Sequence, residues 1–403
     1  MGVLNAKDHR RKARAPASAA TALLAWYDVH KRELPWRAKA GEVIDPYRVW
    51  LSEIMLQQTT VAAVARYYLA FLERWPDVTR LAAASQDEVL GAWAGLGYYS
   101  RAHNLHRAAR TIAEEHGGSF PASLDGLRRL PGIGAYTAAA IGAIAFGLPA
   151  AAMDANAERV IARLFAVEEP LPRAKTKLAA LAAPLVPQKR PGDFAQALMD
   201  LGSLLCVPKR PLCAACPLAV QCAGRALGIA QNLPRKAAER ARPLKRGAAF
   251  VALDAEGAVY LVRRPEKGLL GGMLQPPLGE WAEAFPKRAA AIEEAPFVGD
   301  WVKKPGFVRH GFTHFELEME VYVANFHARP NGQGAWYSPN ELKGAALPTL
   351  MRKVISHALD EGGPLFEFRM SSRSIAANGA KAPGRAGKRV GSFRVQRGRA
   401  RTG

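Results

Sequence analysis

From about residue 19 to 225, apolar residues recur at helical spacing. The stretch 60–75 sets Val61, Val64, Tyr68, Phe71 and Leu72 on one face, the pattern of an amphipathic helix. Asp45 followed by Pro46 supplies an N-cap and a proline at the first helical position for PYRVWLSEIMLQQ. The same periodicity predicts helices near 86–94, 100–116, 123–129, 135–146, 154–165, 173–184 and 192–205, with no strand-like alternation among them. After a basic stretch containing two prolines (226–246) the pattern changes. AAFVALDAEGAVYLVRR is two apolar runs around an Asp-Ala-Glu-Gly turn, a predicted hairpin. Further strands are expected at Gly306–His310, His314–Ala324 and Gly334–Tyr337, with helices near 281–294 and 349–360.

The expected architecture is therefore multidomain, α followed by α+β: an all-helical domain over 19–225, a linker over 226–246 and a mixed domain over 247–365. A length of 403 residues suits two or three domains. The tails, 1–18 and 366–403, are basic and poor in large apolar residues, so they are expected to stay disordered. A formal net charge of +21 implies a polyanionic partner, and nucleic acid before a membrane surface. No run reaches the eighteen apolar residues of a spanning helix, the N-terminus lacks a signal peptide's apolar core, and Ala6 stands where a myristoylation signal wants Ser or Thr. A soluble, cytoplasmic protein is expected.

All four cysteines fall in one run, Cys206, Cys213, Cys216 and Cys222, spaced C-x6-C-x2-C-x5-C. Such concentration fits thiolates around one metal centre better than disulfides. Zinc and an iron–sulfur cluster both accept four thiolates. Only Cys213 and Cys216 form a close pair, and the longer outer loops favour a body larger than one ion. Lys209 and Arg210 would sit on this braced loop, placed to hold a phosphate.

LPGIGAYTAAAIGAIAFG (130–147) places Gly132 and Gly134 between two helices, where exposed amides and a helix N-terminus make an anion site. About twenty residues later Asp154 opens a helix. It is an ordinary N-cap by position, but the preceding apolar run, Leu148–Met153, would bury it beside the phosphate-gripping hairpin. Glu53 stacks with Val49 and Trp50 on an apolar helix face. Burial there would raise its pKa, although a buried glutamate can also be half of an ion pair with Arg37 or Arg48. One protonated Glu and one ionised Asp are the pair that cleaves a glycosidic bond.

PWR (35–37), DPYRVWLSEIMLQQT (45–59), GLGYYSRAHNLH (95–106), LPGIGAYTA (130–138), MDANAERV (153–160) and the cysteine run together resemble the MutY-like adenine DNA glycosylases of the helix–hairpin–helix superfamily. The resemblance is dense over about 30–225 and weaker beyond. It implies a helix–hairpin–helix glycosylase domain with a 4Fe-4S cluster loop, followed by a NUDIX-like α+β domain. The implied reaction is hydrolysis of the N-glycosidic bond of adenine opposite 8-oxoguanine or guanine in double-stranded DNA, by a monomer. In it Glu53 protonates the flipped adenine and Asp154 stabilises the sugar cation, while Tyr136 and Asn156 position the chemistry. Trp36, Arg37 and Gln196 line the adenine pocket. Leu56, Gln57, Gln58, Thr59, Leu96 and Tyr98 fill the vacated stack or touch the opposite lesion, and the four cysteines hold one 4Fe-4S cluster.

Tyr136 stands where endonuclease III-like relatives carry a Schiff-base lysine, which implies a monofunctional enzyme. Two departures accompany the resemblance. Ala155 replaces a family glycine, at a cost of about 1 kcal/mol if that position is left-handed. Phe312, Thr313 and His314 resemble the lesion-reading Phe-Ser-His loop, with a hydroxyl kept at Thr313. No NUDIX-type glutamate cluster accompanies Glu293 and Glu294, so recognition is expected of that domain before pyrophosphate hydrolysis. A relative acting on another base, and a non-catalytic cluster-containing DNA binder or redox sensor, are the competing readings.

Overall fold

The computed structural model describes residues 16–39, 41–237 and 241–359. The expected tails lie outside these residues except for 16–18, which open the first helix, and 359 is the last residue described. Helices α1 (Pro16–His30), α2 (Pro46–Leu56), α3 (Val61–Arg74), α4 (Val78–Ala83), α5 (Gln86–Trp93), α6 (Ser100–Glu115) and α7 (Leu124–Arg129) lead into α8 (Ala135–Phe146). Then follow α9 (Ala155–Leu164), α10 (Lys175–Ala182), α11 (Pro191–Leu204) and α12 (Ala223–Ala226). Side-chain caps fix several starts: Asp45 accepts from the Tyr47 amide at 2.8 Å, and Ser85 with Glu88 forms a reciprocal capping box.

The helices enclose two main cores. One gathers around α2, which is buried on nearly every face from Tyr47 to Met55, with Phe71, Trp75 and Trp93 in edge contact beside it. The other joins α1, α9, α10 and α11 and carries Cys206, Cys216 and Cys222 at its margin. Helix α8 packs on both α2 and α11 and so bridges the two cores.

The remaining residues form a seven-stranded mixed sheet with α13 (Arg288–Glu293), α14 (Pro339–Gly344) and α15 (Thr349–Ala358). Its strands are β1 (Leu244–Asp254), β2 (Val259–Arg263), β3 (Leu274–Gln275), β4 (Val302–Lys303), β5 (Val308–Gly311), β6 (Glu316–Phe326) and β7 (Ala335–Tyr337). The order is β3-β2-β1-β6-β4, with β5 also on β6 and β7 also on β2. At its centre β1 and β6 run parallel from Leu244 opposite Glu316 to Asp254 opposite Phe326. The predicted hairpin is present: Asp254 accepts from the Glu256 and Ala258 amides, Gly257 takes φ +77°, and Leu253 pairs with Val259.

One element is corrected. The helix expected over 281–294 is confined to Arg288–Glu293, because Ala282 exchanges both backbone hydrogen bonds with Arg246 on β1 and Pro286 lacks an amide donor. The two halves also share a core: Met273 and Ala346 are buried in the cluster around α2.

Candidate active site

Glu53 on α2 is buried, and the Tyr136 hydroxyl on α8 donates to its Oε2 at 2.6 Å. Burial raises the Glu53 carboxyl to about 7. The Tyr136 hydrogen bond and the Arg37 charge oppose that rise, and the Asp154 charge adds to it. Tyr136 is itself pushed well above its ordinary value, first by burial and then by the two carboxylates. It therefore stays a hydroxyl donor.

Asp154 is half-buried at the N-terminus of α9. It is the N-cap, and both its oxygens are engaged: Oδ1 accepts from the Ala157 amide at 2.7 Å and Oδ2 from Asn156 Nδ2 at 2.9 Å. The cap holds the group as an acceptor beside a helix N-terminus. Ala155 is not left-handed, so the backbone cost considered for it does not arise.

Trp36, Arg37, Glu53, Leu56 and Gln196 line one cleft, with Val49 and Met199 among its walls. At about 50 Å³ it has room for a few waters and not for a purine, so its walls must part to admit one. Neither Arg37 nor Arg48 pairs with Glu53. Arg37 forks onto Asp200 at 2.6 and 2.8 Å, and Arg48 faces Asp45 at 3.9 Å.

Two turns, one after α2 and one before α6, hold left-handed residues. Gln58 and Tyr98 are both left-handed (φ +59° and +48°) and exposed, a strained geometry of the kind that clusters at functional sites. Gln57 donates to Thr137 Oγ1 at 3.2 Å, and Thr59 donates to the Gln57 carbonyl. The Leu96 side chain packs into the α2 core, and its carbonyl accepts from Arg101 Nη2 at 3.2 Å.

At the hairpin, Gly132 has φ +76° and an added Cβ would lie 2.6 Å from Asn104 Cβ. Gly134 is extended, and an added Cβ there would meet nothing within 4 Å. No side chain caps α8, so its first amides remain available to an anion.

Opposite the Tyr98 turn lies a cavity of about 630 Å³ lined by Tyr98, Ser100, Asn104 and the loop His310–Phe315. The Phe312 amide donates to the Phe315 carbonyl at 2.8 Å, and this tight turn leaves Thr313 and His314 exposed at its tip. Thr313 Oγ1 lies 3.3 Å from the Tyr98 hydroxyl.

The four cysteines line one small cavity with Arg163, Leu205 and Pro211. Among the described residues no three His, Cys, Asp or Glu side chains are grouped to hold a single metal ion. Burial pushes Cys216 up to about 11 and raises Cys222, while Arg163 Nη1 donates to Cys206 Sγ at 3.3 Å. Four thiols lining one cavity, with a guanidinium donating to one of them, are a donor set that fits an iron–sulfur cluster.

Three arginines escaped the sequence reading. Arg159 reaches the Cys206 carbonyl, the Gly202 carbonyl and Asn156 Oδ1, joining Asp154's neighbour to the cysteine loop. Arg163 binds the carbonyls of Cys206, Val207, Pro208 and Leu233. Arg101, on α6, donates to the carbonyls of Ile54, Met55, Leu96 and Gly97. Their spacing gave one signal: Asn156, Arg159 and Arg163 share a helix face that is otherwise core.

Comparison with known proteins agrees with this geometry. Residues 51–184 match the model of the HhH-GPD superfamily base excision DNA repair proteins, and residues 248–357 match the NUDIX domain. The chain is 36% identical to the adenine DNA glycosylase of Homo sapiens over 82% of this chain and 72% of that one. To that of Buchnera aphidicola subsp. Schizaphis graminum it is 29% identical, over 83% and 96%. A thermostable thymine-DNA glycosylase aligns in structure at 29% identity, covering 54% of this chain and 98% of that one with a TM-score of 0.48. A helical HhH-GPD domain followed by a NUDIX domain, matched along most of its length by adenine-specific enzymes, is a DNA N-glycosylase, and the chain belongs to the adenine DNA glycosylase family of base excision repair.

Proposed function

We propose that the chain, acting as a monomer on double-stranded DNA, excises adenine opposite 8-oxoguanine or guanine, with Glu53 as acid and Asp154 as electrostatic partner. The observation that carries this reading is the Tyr136–Glu53 hydrogen bond beside a second carboxyl: buried Glu53 is raised to about 7, and half-buried Asp154 is fixed by two donors. Tyr136 occupies Oε2, which leaves Glu53 Oε1 to carry the proton to N7 of the flipped base. As the C1′–N9 bond breaks, its electron pair leaves with adenine. The oxocarbenium-like sugar is held by the Asp154 carboxylate until water adds at C1′ and loses a proton.

Gln58 and Tyr98 wedge the stack that the adenine leaves, offsetting an unstacking cost of a few kcal/mol. Thr313 and His314 read the base opposite from the cavity they share with Tyr98. The NUDIX domain thus serves recognition. Cys206, Cys213, Cys216 and Cys222 hold one 4Fe-4S cluster, which when bound braces the loop that presents Lys209 and Arg210 to a phosphate. Tyr136 cannot form a Schiff base, so the enzyme is monofunctional.

The test is a duplex carrying adenine opposite 8-oxoguanine. Strand scission is expected only after alkali treatment, with no borohydride-trapped adduct. A duplex left intact after alkali would remove the catalytic reading, and robust trapping would remove the monofunctional one. An absorbance band near ~400 nm with iron and sulfide analysis tests the cluster, and zinc in its place would overturn it.

A further inference from the structure

We propose that Asp200 is a positioning residue of the adenine cleft: its buried carboxylate clamps Arg32 and Arg37, so that Arg37 lines the cleft without pairing with Glu53. The inference rests on the assignment of Glu53 as the acid.

The Asp200 side chain on α11 is fully buried. Its Oδ1 accepts from Arg32 Nε at 2.5 Å and Arg37 Nη2 at 2.8 Å, and its Oδ2 accepts from Arg37 Nη1 at 2.6 Å and the Arg32 amide at 3.0 Å. Arg37 Nη1 also donates to the Arg32 carbonyl at 3.0 Å. Arg32, Arg37 and Glu53 line the same cleft. A guanidinium in such a place would by default fork onto the nearest carboxylate, and Glu53 is one. Paired so, Glu53 would be held ionised and could not give up a proton.

The groups facing Glu53 are Tyr136 from α8, Arg37 from the segment after α1, and Asp154 at the start of α9. Arg101, from α6, donates to the Ile54 and Met55 carbonyls instead. Around Asp200 stand Arg32, Arg37 and Tyr27, with Asp193 and Arg190 also acting on Tyr27. Burial pushes the Asp200 carboxyl up, but the hydrogen bonds and charges of Arg37 and Arg32 outweigh it and hold the group below its ordinary value. Asp200 therefore remains an anion wherever the enzyme works.

The experiment is the pH profile of single-turnover adenine excision by the full-length protein on an adenine:8-oxoguanine duplex. The wild-type rate is expected to fall as pH rises past about 7, where Glu53 loses its proton. Asp200→Asn, which frees Arg37 toward Glu53, moves that midpoint acidward by about 1–3 pH units. The double variant Arg37→Met/Asp200→Asn, which removes the freed charge, returns it to the wild-type position. An Asp200→Asn profile lowered in height with its midpoint unmoved overturns the inference and leaves Glu53's role standing. A wild-type profile with no falling limb overturns both. Should Asp200→Asn not fold, Arg37→Lys serves: it keeps the charge but loses the bidentate hold, and an unmoved midpoint there overturns the inference equally.

Discussion

At the scale of single residues, the buried proton on Glu53 has a consequence for stability as well as catalysis. Its folded-state pKa, about 7, lies above the ordinary 4.5. Below the ordinary value both folded and unfolded chains hold the proton. Between the two values only the folded chain holds it, so stability is lost as pH rises through that window and levels off above about 7. Glu53→Gln removes the ionisation. Relative to wild type it is expected to gain stability from pH 5 to pH 8, by roughly 2–3 kcal/mol, while excision falls by about 10²–10⁴. Denaturant unfolding at several pH values with single-turnover rates checks both, and a constant stability difference would refute the buried proton. Asp154→Asn keeps a side chain able to cap α9, so lesion binding is expected to persist while cleavage is lost; excision at the wild-type rate would refute its role. Both carboxylates were legible because residue type and apolar context are local. Asp200 was not, since its significance comes from two arginines more than 160 positions away.

Elements tell a similar story about what a linear pattern conveys. Helices with a full apolar face were predicted to within a few residues, whereas the two-residue strands β3 and β4 carry too little alternation to register. Proline and a backbone partner on β1 removed half of the helix expected over 281–294. The turns at Gln58 and Tyr98 show the limit most clearly. Leu56, Gln57, Gln58, Thr59, Leu96 and Tyr98 were singled out by resemblance, but what holds their turns was not visible. That is Arg101 on α6, whose buried guanidinium donates to the carbonyls of Ile54, Met55, Leu96 and Gly97 and to Thr59 Oγ1. It has no carboxylate among these partners, and burial lowers it to about 10, so it is still charged at neutral pH. One cation thus ties the end of α2 to the Tyr98 turn. Arg101→Lys cannot reach all five acceptors, and each orphaned buried group costs about 1–3 kcal/mol. The variant is expected to fold less stably and to extrude the base poorly, read by fluorescence of 2-aminopurine placed at the target. Unchanged fluorescence would mean the two turns hold themselves.

On the scale of the whole molecule, the question is whether the two halves act as one body. Nothing in the sequence predicted it, because the contacts join residues of the β2–β3 loop to helices about 170 positions earlier. Met273 is fully buried in the core around α2, and His103 Nε2 lies 2.8 Å from the Gly271 carbonyl. Arg263 forks onto Asp87, but both side chains are about half exposed. Magnitudes decide between them. An exposed ion pair contributes at most about 1 kcal/mol, whereas truncating a buried methionine costs about 2–5 kcal/mol. The apolar plug, not the visible salt bridge, therefore holds the NUDIX domain in register, and with it the 3.3 Å approach of Thr313 to Tyr98. Met273→Ala is expected to split a single calorimetric transition into two, and to reduce the preference for adenine opposite 8-oxoguanine over guanine more than it reduces excision itself. Arg263→Gln should do neither. If instead Arg263→Gln uncouples the halves and Met273→Ala leaves one transition, electrostatics and not packing joins the two domains.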